Sequence, residues 1–240
     1  IRLMVPSNET VQINDQIRGN INFDLNLIQD QIIIKSDGYP TYHLASVVDD
    51  HLMQISHVIR GEEWIPSLPK HYLLYQSLEW KQPEFVHLPL LLNKDKTKLS
   101  KRQGDIAVED YIIKGYLQEA LINFVALLGW HGSDDKEIYS FDELVKSFSI
   151  DRIRSSGAIF DIQKLQWFNQ KYINSMDLKS LLIIIQEKLS NQWEITTAII
   201  DLIRPNMQTI QDAENLIKPF FVFDIDAIVL DSSLITDSGI

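Results

Sequence analysis

The stretch Gln54-Ile55-Ser56-His57-Val58-Ile59-Arg60-Gly61-Glu62-Glu63-Trp64 decides the fold. Its β-branched apolar core, ending on Arg60-Gly61, reads as a strand. A helix follows, with Ser67 as its expected cap and Leu73, Leu74 and Leu78 on its apolar face. His87-Leu88-Pro89-Leu90-Leu91-Leu92 then reads as a buried strand, Asn93-Lys94-Asp95-Lys96-Thr97 as a turn, and Lys98-Leu99-Ser100-Lys101-Arg102 as a basic loop closed by Gly104. Strand, helix and strand in this order build a parallel α/β sheet, whose ligands gather at the carboxyl ends of the strands. Arg60 and the basic loop both stand at such ends, so the two are expected to face one crevice of a nucleotide-binding α/β fold.

Three cations and a hydroxyl within five residues suit a triphosphate. Lysine offers a compact charge to phosphate oxygens, arginine offers a planar fork, and both stabilise charge that grows during phosphoryl or nucleotidyl transfer. ATP is the ligand this pattern indicates, although short basic runs also occur as solvated loops. The guanidinium of Arg60 suits a carboxylate ligand, with an ion pair to Glu62 or Glu63 as the alternative. Asp49-Asp50 reads as structural or solvated, because neighbours on a helix point in different directions.

The 240 residues are 45% apolar and 23% charged, which is ordinary for a globular chain and excludes a disordered or fibrous one. Apolar runs such as Leu181 to Ile185 and Phe220 to Phe223 are too short to cross a bilayer, and no basic-then-apolar leader opens the chain. A soluble, cytoplasmic protein with no membrane partner is expected. Cysteine is absent, and the six histidines show no ligand spacing, so no protein-bound metal, zinc included, is expected; a metal should arrive with the nucleotide. A net charge of −11 argues against holding nucleic acid by the overall field and leaves that task to a local basic surface. The chain opens on Ile1-Arg2-Leu3 and runs out at Ser238-Gly239-Ile240, and is expected to be a fragment.

Ahead of the deciding stretch, Ile1 to Val5, Thr10 to Ile13, Asn20 to Phe23 and Gln31 to Lys35 read as short strands of a small sheet. Asn8-Glu9-Thr10 fits a glycosylation acceptor but reads as a turn. Asp37-Gly38-Tyr39-Pro40 makes another turn, with Pro40 opening a helix through Thr41 to Val48 on which Tyr42 and Ser46 share a face. Beyond the basic loop the pattern is helical: Tyr111 to Gly115, Leu117 to Gly129, a Ser140-Phe141-Asp142-Glu143 capping box, then Asp161 to Tyr172, Asp177 to Leu189, Glu194 to Arg204 and Thr209 to Lys218. Trp167, Phe168 and Tyr172 are expected in a core rather than on a base-stacking face, and the best break falls near residues 105 to 116.

The order of several segments carries a resemblance. Asp37-Gly38-Tyr39-Pro40-Thr41-Tyr42-His43-Leu44-Ala45, Val47-Val48-Asp49-Asp50-His51, His57 to Trp64, Pro69-Lys70-His71, Lys98 to Arg102, Gly115 to Leu121, Leu128-Gly129-Trp130 and Phe160 to Asn169 together resemble bacterial-type glutamyl-tRNA synthetases, class I enzymes. The resemblance is close over residues 1 to 175 and looser beyond. It implies a Rossmann-type α/β fold followed by a mainly α-helical region, and a reaction in which glutamate and ATP give glutamyl-adenylate and pyrophosphate before the glutamyl group passes to tRNA(Glu). Lys98-Leu99-Ser100-Lys101-Arg102 is similar to the second ATP motif of the class, with Lys98 and Lys101 catalytic and Arg102 assisting. By the same carry-over Trp64, Leu90, Leu91 and Leu99 flank the adenosine, Tyr42 and Arg60 line the glutamate pocket, and Ser46 stands where some members have Asn.

Mg2+ would come with ATP, and a monomer is expected. The implied domains are the end of an inserted acceptor-stem domain (1–36), the second half of the catalytic domain (37–105), a stem-contact domain (106–175) and the start of a helical anticodon-binding domain (176–240). The family's first ATP motif, a His-Ile-Gly-His-like sequence, has no counterpart here, so the chain is expected to hold half an active site and to be inactive alone. Readings weighed against this one are a glutaminyl-tRNA synthetase, disfavoured by Arg60 and residues 37–50; the shortened paralogue that glutamylates a modified tRNA base, disfavoured by the helical tail; a non-catalytic synthetase-like tRNA-binding protein; and an α/β-plus-helical domain with a solvated lysine loop.

Overall fold

The computed structural model describes residues 1–99, 107–189 and 193–222. Ser100, Lys101, Arg102 and Gly104 lie outside the described residues, as does the end of the chain from 223 onward. Two compact units are present, Ile1–Gly104 with Ile122–Asp161 and Asp105–Leu121 with Ile162–Ile240, so the division falls inside one helix.

The first unit is α/β. Strands β1 (Arg2–Leu3), β2 (Thr10–Asp15), β3 (Gly19–Asp24) and β4 (Gln31–Ile32) precede helix α1 (Tyr42–Leu52), strand β5 (His57–Gly61), helix α2 (Leu68–Ser77), strand β6 (Glu84–Leu88) and strand β7 (Leu91–Leu92). The main sheet has the order β3-β2-β6-β5. β5 and β6 are parallel with Arg60 opposite His87, β2 and β3 form an antiparallel hairpin, and a single parallel pair, Asp15 with Phe85, joins the two halves. The opening strands therefore extend this sheet, apart from the separate antiparallel pair β1 and β4. Ile13, Leu25, Val47, Leu68, Tyr75 and Phe85 fill the core beneath it; each large apolar side chain so buried contributes about 1.5 to 3 kcal/mol.

Four local expectations are corrected. Ser67 does not cap α2: a tight turn over Glu62–Ser67 runs straight into the helix, leaving Ser67 in helical backbone where its hydroxyl makes no capping bond. Pro40 stays outside α1 and bridges to Ile34, while extended Thr41 precedes the helix, which continues to Leu52. The run His87 to Leu92 is two strands, because Pro89 has no N–H to donate and β7 leaves the main sheet to pair with a later strand. Finally, Phe168 is buried but its neighbour Trp167 turns outward, where Lys171 lies 5.5 Å from its ring.

Helix α3 (Val108–Ile113) comes next, then α4 (Gln118–Gly129), which crosses the division, α5 (Phe141–Ser147) and β8 (Ala158–Ile159), which pairs with β7. The expected capping box opens α5, with Ser140 Oγ accepting from Glu143 N at 3.2 Å and Glu143 Oε2 accepting from Ser140 N at 2.8 Å. Trp130, Tyr139 and Leu144 form a small core beside it.

The second unit is helical: α3, the first turn of α4, α6 (Ile162–Ser175), α7 (Leu178–Lys188), α8 (Thr197–Ile203) and α9 (Asp212–Ile217). Ile173, Leu181, Ile185, Ile200, Met207 and Ile217 make its core. Buried Asn169 clips two loops to it, accepting from Leu117 N at 2.7 Å and donating to Gln208 O at 2.6 Å. Gly115 ends α3 in the left-handed region, φ +82°, and an added Cβ would lie 2.8 Å from Gln211 N and 2.9 Å from Ile210 N. Gly38 shares the conformation, φ +84°, with open space around it. Gly38→Ala should therefore cost about 1 kcal/mol from backbone strain alone, and Gly115→Ala about 2 kcal/mol or more. Urea midpoints at unchanged slope measure both, and equal losses would remove the close approach as the cause.

Candidate active site

The carboxyl end of β5 carries Arg60, the first turn of α1 carries Tyr42 and His43, and the turn after β5 carries Trp64. These side chains converge. Tyr42 and Trp64 rings lie 5.0 Å apart, and the Arg60 guanidinium is 5.8 Å from the Trp64 ring. Ser46 lies one turn along α1 from Tyr42 and is half-buried.

Arg60 is held from behind by histidines. Its Nε donates to His87 Nε2 at 3.0 Å and its Nη1 to His71 Nδ1 at 3.2 Å, while His71 Nε2 lies 2.9 Å from His43 Nδ1. Asp15 anchors the row. Its Oδ2 accepts from His87 Nδ1 at 2.6 Å and from His87 N at 3.0 Å, and its Oδ1 accepts from Ile17 N and Arg18 N. Asp15, His71 and His87 are buried.

A guanidinium can only donate, so the nitrogens facing it must be lone pairs. His87 therefore carries its proton on Nδ1, towards Asp15, and His71 carries its proton on Nε2, towards His43. Burial, then Arg60 and neighbouring histidines, push the His71 imidazole down to about 3. Burial raises the Asp15 carboxyl, but the bonds from His87, Arg18 and Ile17 outweigh this and leave it below its ordinary value.

Neither acidic neighbour in sequence pairs with Arg60. Glu62 forms an ion pair with Arg18 and accepts from Leu90 N at 3.2 Å, and Glu63 pairs with Lys98 at 3.4 Å. Arg60 Nη2 is buried with no partner among the described residues. Lys98 and Leu99 are fixed to β7 by the Asn93–Thr97 turn: Lys98 bridges to Leu92, and Leu99 N donates to Leu91 O at 2.9 Å. Arg60, Tyr42 and Trp64 thus converge at the carboxyl end of β5, and Glu62 and Glu63 link the turn that follows to Leu90 and Lys98, whereas Asp15, His43, His71 and His87 escaped sequence reasoning as site residues. The usable signal was His87, a polar side chain inside the otherwise apolar strand Phe85-Val86-His87-Leu88.

A mixed α/β sheet with ligand-type groups at the end of its parallel strands, followed by a helical unit, defines a Rossmann-type nucleotide-binding domain with a helical extension. Residues 1–167 match the catalytic domain of class I tRNA synthetases (E and Q), and the chain belongs to that family. It is 46% identical over 232 residues to a glutamate–tRNA ligase of Clostridioides difficile, covering 92% of this chain and 47% of that protein. It is 53% identical over 196 residues to one of Chlorobium phaeobacteroides, covering 81% and 39%. A crystal structure of a glutamate tRNA ligase from Elizabethkingia meningosepticum, in complex with its amino acid, superposes with TM-score 0.86 at 38% identity over 94% of this chain and 50% of that one. The chain thus spans about half the length of the relatives it matches.

The depressed His71 has a stability consequence. Between its unfolded value near 6.5 and its folded value near 3, the unfolded chain binds the proton that the folded chain refuses, so stability falls as pH drops through that window. The slope approaches about 1.4 kcal/mol per pH unit from this group. Urea unfolding of the chain at pH 7, 6, 5 and 4 should show the decline, and His71→Gln should flatten it; an unchanged slope in the variant would locate the effect elsewhere.

Proposed function

We propose that this chain is the part of a glutamate–tRNA ligase that binds the side chain of glutamate and the triphosphate of ATP. The observation that carries the reading is Arg60, a guanidinium without a carboxylate partner among the described residues and with Nη2 left unpaired. The γ-carboxylate of glutamate would supply the missing acceptors. Glutamine would leave the charge without a counter-ion, a loss of about 1 to 3 kcal/mol. Tyr42 would close one wall of the pocket and Ser46 its floor, with Trp64, Leu90, Leu91 and the Leu99 backbone flanking the adenosine.

In the reaction, the α-carboxylate of glutamate attacks the α-phosphorus of ATP, forming an acyl-phosphate bond as pyrophosphate leaves; the glutamyl group then passes to the terminal adenosine of tRNA(Glu). Lys98, Ser100, Lys101 and Arg102 would hold the triphosphate, Lys98 and Lys101 compensating the charge that builds on the leaving pyrophosphate. Mg2+ would enter on the phosphates and screen their charge.

The domain reading follows the family: the end of an acceptor-stem domain over 1–36, the second half of the catalytic domain over 37–105, a stem-contact domain over 106–175, and the start of an anticodon-binding domain over 176–240. No described helix is long and apolar enough to cross a membrane.

In the protein that carries this chain, Lys101→Ala should slow glutamate-dependent ATP–pyrophosphate exchange by about 100-fold or more, since the lost interaction belongs to the transition state. An unchanged rate would remove Lys101 from this role. Arg60→Gln should raise the KM for glutamate far more than that for ATP, and equal losses would indicate misfolding instead.

A further inference from the structure

An arginine that reads an anionic side chain faces a conflict. Its fork must be fixed in direction, and the strongest groups for fixing it are carboxylates, which would also neutralise it. Here its hydrogen-bond partners are imidazoles, the Trp64 ring lies 5.8 Å away, and the acids Asp50 and Asp15 act on it across space without pairing with it. His87 Nε2 and His71 Nδ1 take Nε–H and one Nη1–H, both nitrogens are uncharged lone pairs, and the nearby acids Glu62 and Glu63 are engaged by Arg18 and Lys98. The row is wired in one sense only. Asp15 fixes the His87 proton on Nδ1, and Arg60 fixes the His71 proton on Nε2, towards His43. The negative charge of Asp15 is thereby placed behind a whole imidazole ring from the guanidinium rather than against it.

We infer that His71 and His87, the latter oriented by Asp15, are positioning residues that aim Arg60 without setting a carboxylate against it, and that this neutral frame sets the preference for an anionic over an amide side chain. The inference rests on the proposal that Arg60 receives the glutamate carboxylate. It extends that proposal to residues that need not touch the substrate, and it predicts that the charge of the frame, rather than its hydrogen bonding, controls selectivity. A glutamate at position 71 would keep an acceptor near Nη1 but place an anion on the guanidinium. A glutamine would keep the acceptor and stay neutral.

The test uses the protein that carries this chain, labelled with 15N on histidine and arginine. Long-range 1H–15N spectra at pH 7 should show His87 protonated on Nδ1 and His71 on Nε2. Titration with L-glutamate and L-glutamine, followed on the Arg60 Nε–H signal, should show glutamate binding at least about tenfold tighter. His71→Gln should keep that ratio within about threefold, and His71→Glu should abolish it.

A His71→Glu chain that keeps the ratio, or loses both affinities equally, would overturn the inference and leave the Arg60 reading intact. Unsubstituted chain that lacks the preference, with both tautomers as stated, would overturn the Arg60 reading and the inference with it. Should His71→Glu lose its dispersed amide spectrum, the tautomers decide: a His71 protonated on Nδ1, or on both nitrogens, cannot accept from Arg60 and sinks the neutral frame, whereas the stated pair supports it.

Discussion

A buried carboxylate is tolerable only when its oxygens are satisfied, since an unpaired one costs several kcal/mol. Asp15 is buried at the end of β2 and receives four donors: two backbone N–H groups from the turn that follows it, and the backbone N–H and ring Nδ1 of His87. This constraint fixes more than one residue. Beside it, the parallel link among the described residues between the hairpin and the β5–β6 pair is the Asp15–Phe85 register, helped by Gln16 N donating to Phe85 O at 2.9 Å. The carboxylate thus joins the two halves of the sheet by their backbones and, through the same oxygen, orients the ring that holds Arg60. Sheet continuity and site geometry share one buried charge.

The turn after β5 solves a second problem. Gly61-Glu62-Glu63 follows Arg60 directly, and two acids so close would capture it in an extended chain. The tight turn over Glu62–Ser67 sends both carboxylates elsewhere, Glu62 to Arg18 and Leu90 N, Glu63 to Lys98. Gly61 itself faces Glu63: an added Cβ would meet Glu63 Oε2 at 2.1 Å, so the carboxylate folds back over the position a side chain would occupy. Turn geometry, rather than the absence of acids, leaves Arg60 without a carboxylate partner.

Much of this was legible in the sequence where one local rule dominates. Period-2 apolar alternation and turn residues gave β2, β3 and β5, and Ser140 with Glu143 announced its own capping box, because each depends on neighbours within a few residues. Arg60 was marked by its place at a strand end, Tyr42 and Trp64 by ordered segments resembling a family, and the three do converge. What stayed hidden depends on contacts distant in sequence. Asp15 and His87 are 72 residues apart, and no spacing rule links them. Ser67 misled for the opposite reason: it is a good capping residue type, but the preceding turn had already placed its backbone in the helical region, so there was no end to cap.

The two cationic parts of the site are held differently, and on the proposed reading the difference is chemical. Arg60 sits at the end of β5, an edge strand of the main sheet, with two hydrogen bonds to buried rings, so its direction is fixed before any ligand arrives. Lys98 projects from a short hairpin, its side chain about half exposed, and its 3.4 Å bridge to Glu63 is of a kind worth at most about 1 kcal/mol. The carboxylate of an amino-acid side chain takes no part in adenylate formation, so a rigid partner loses nothing by holding still. Charge on a triphosphate moves towards the leaving pyrophosphate as the bond breaks, and a lysine on a weakly held stem can follow it. A fixed arginine for recognition and a loosely tethered lysine for the reaction are what those two tasks require.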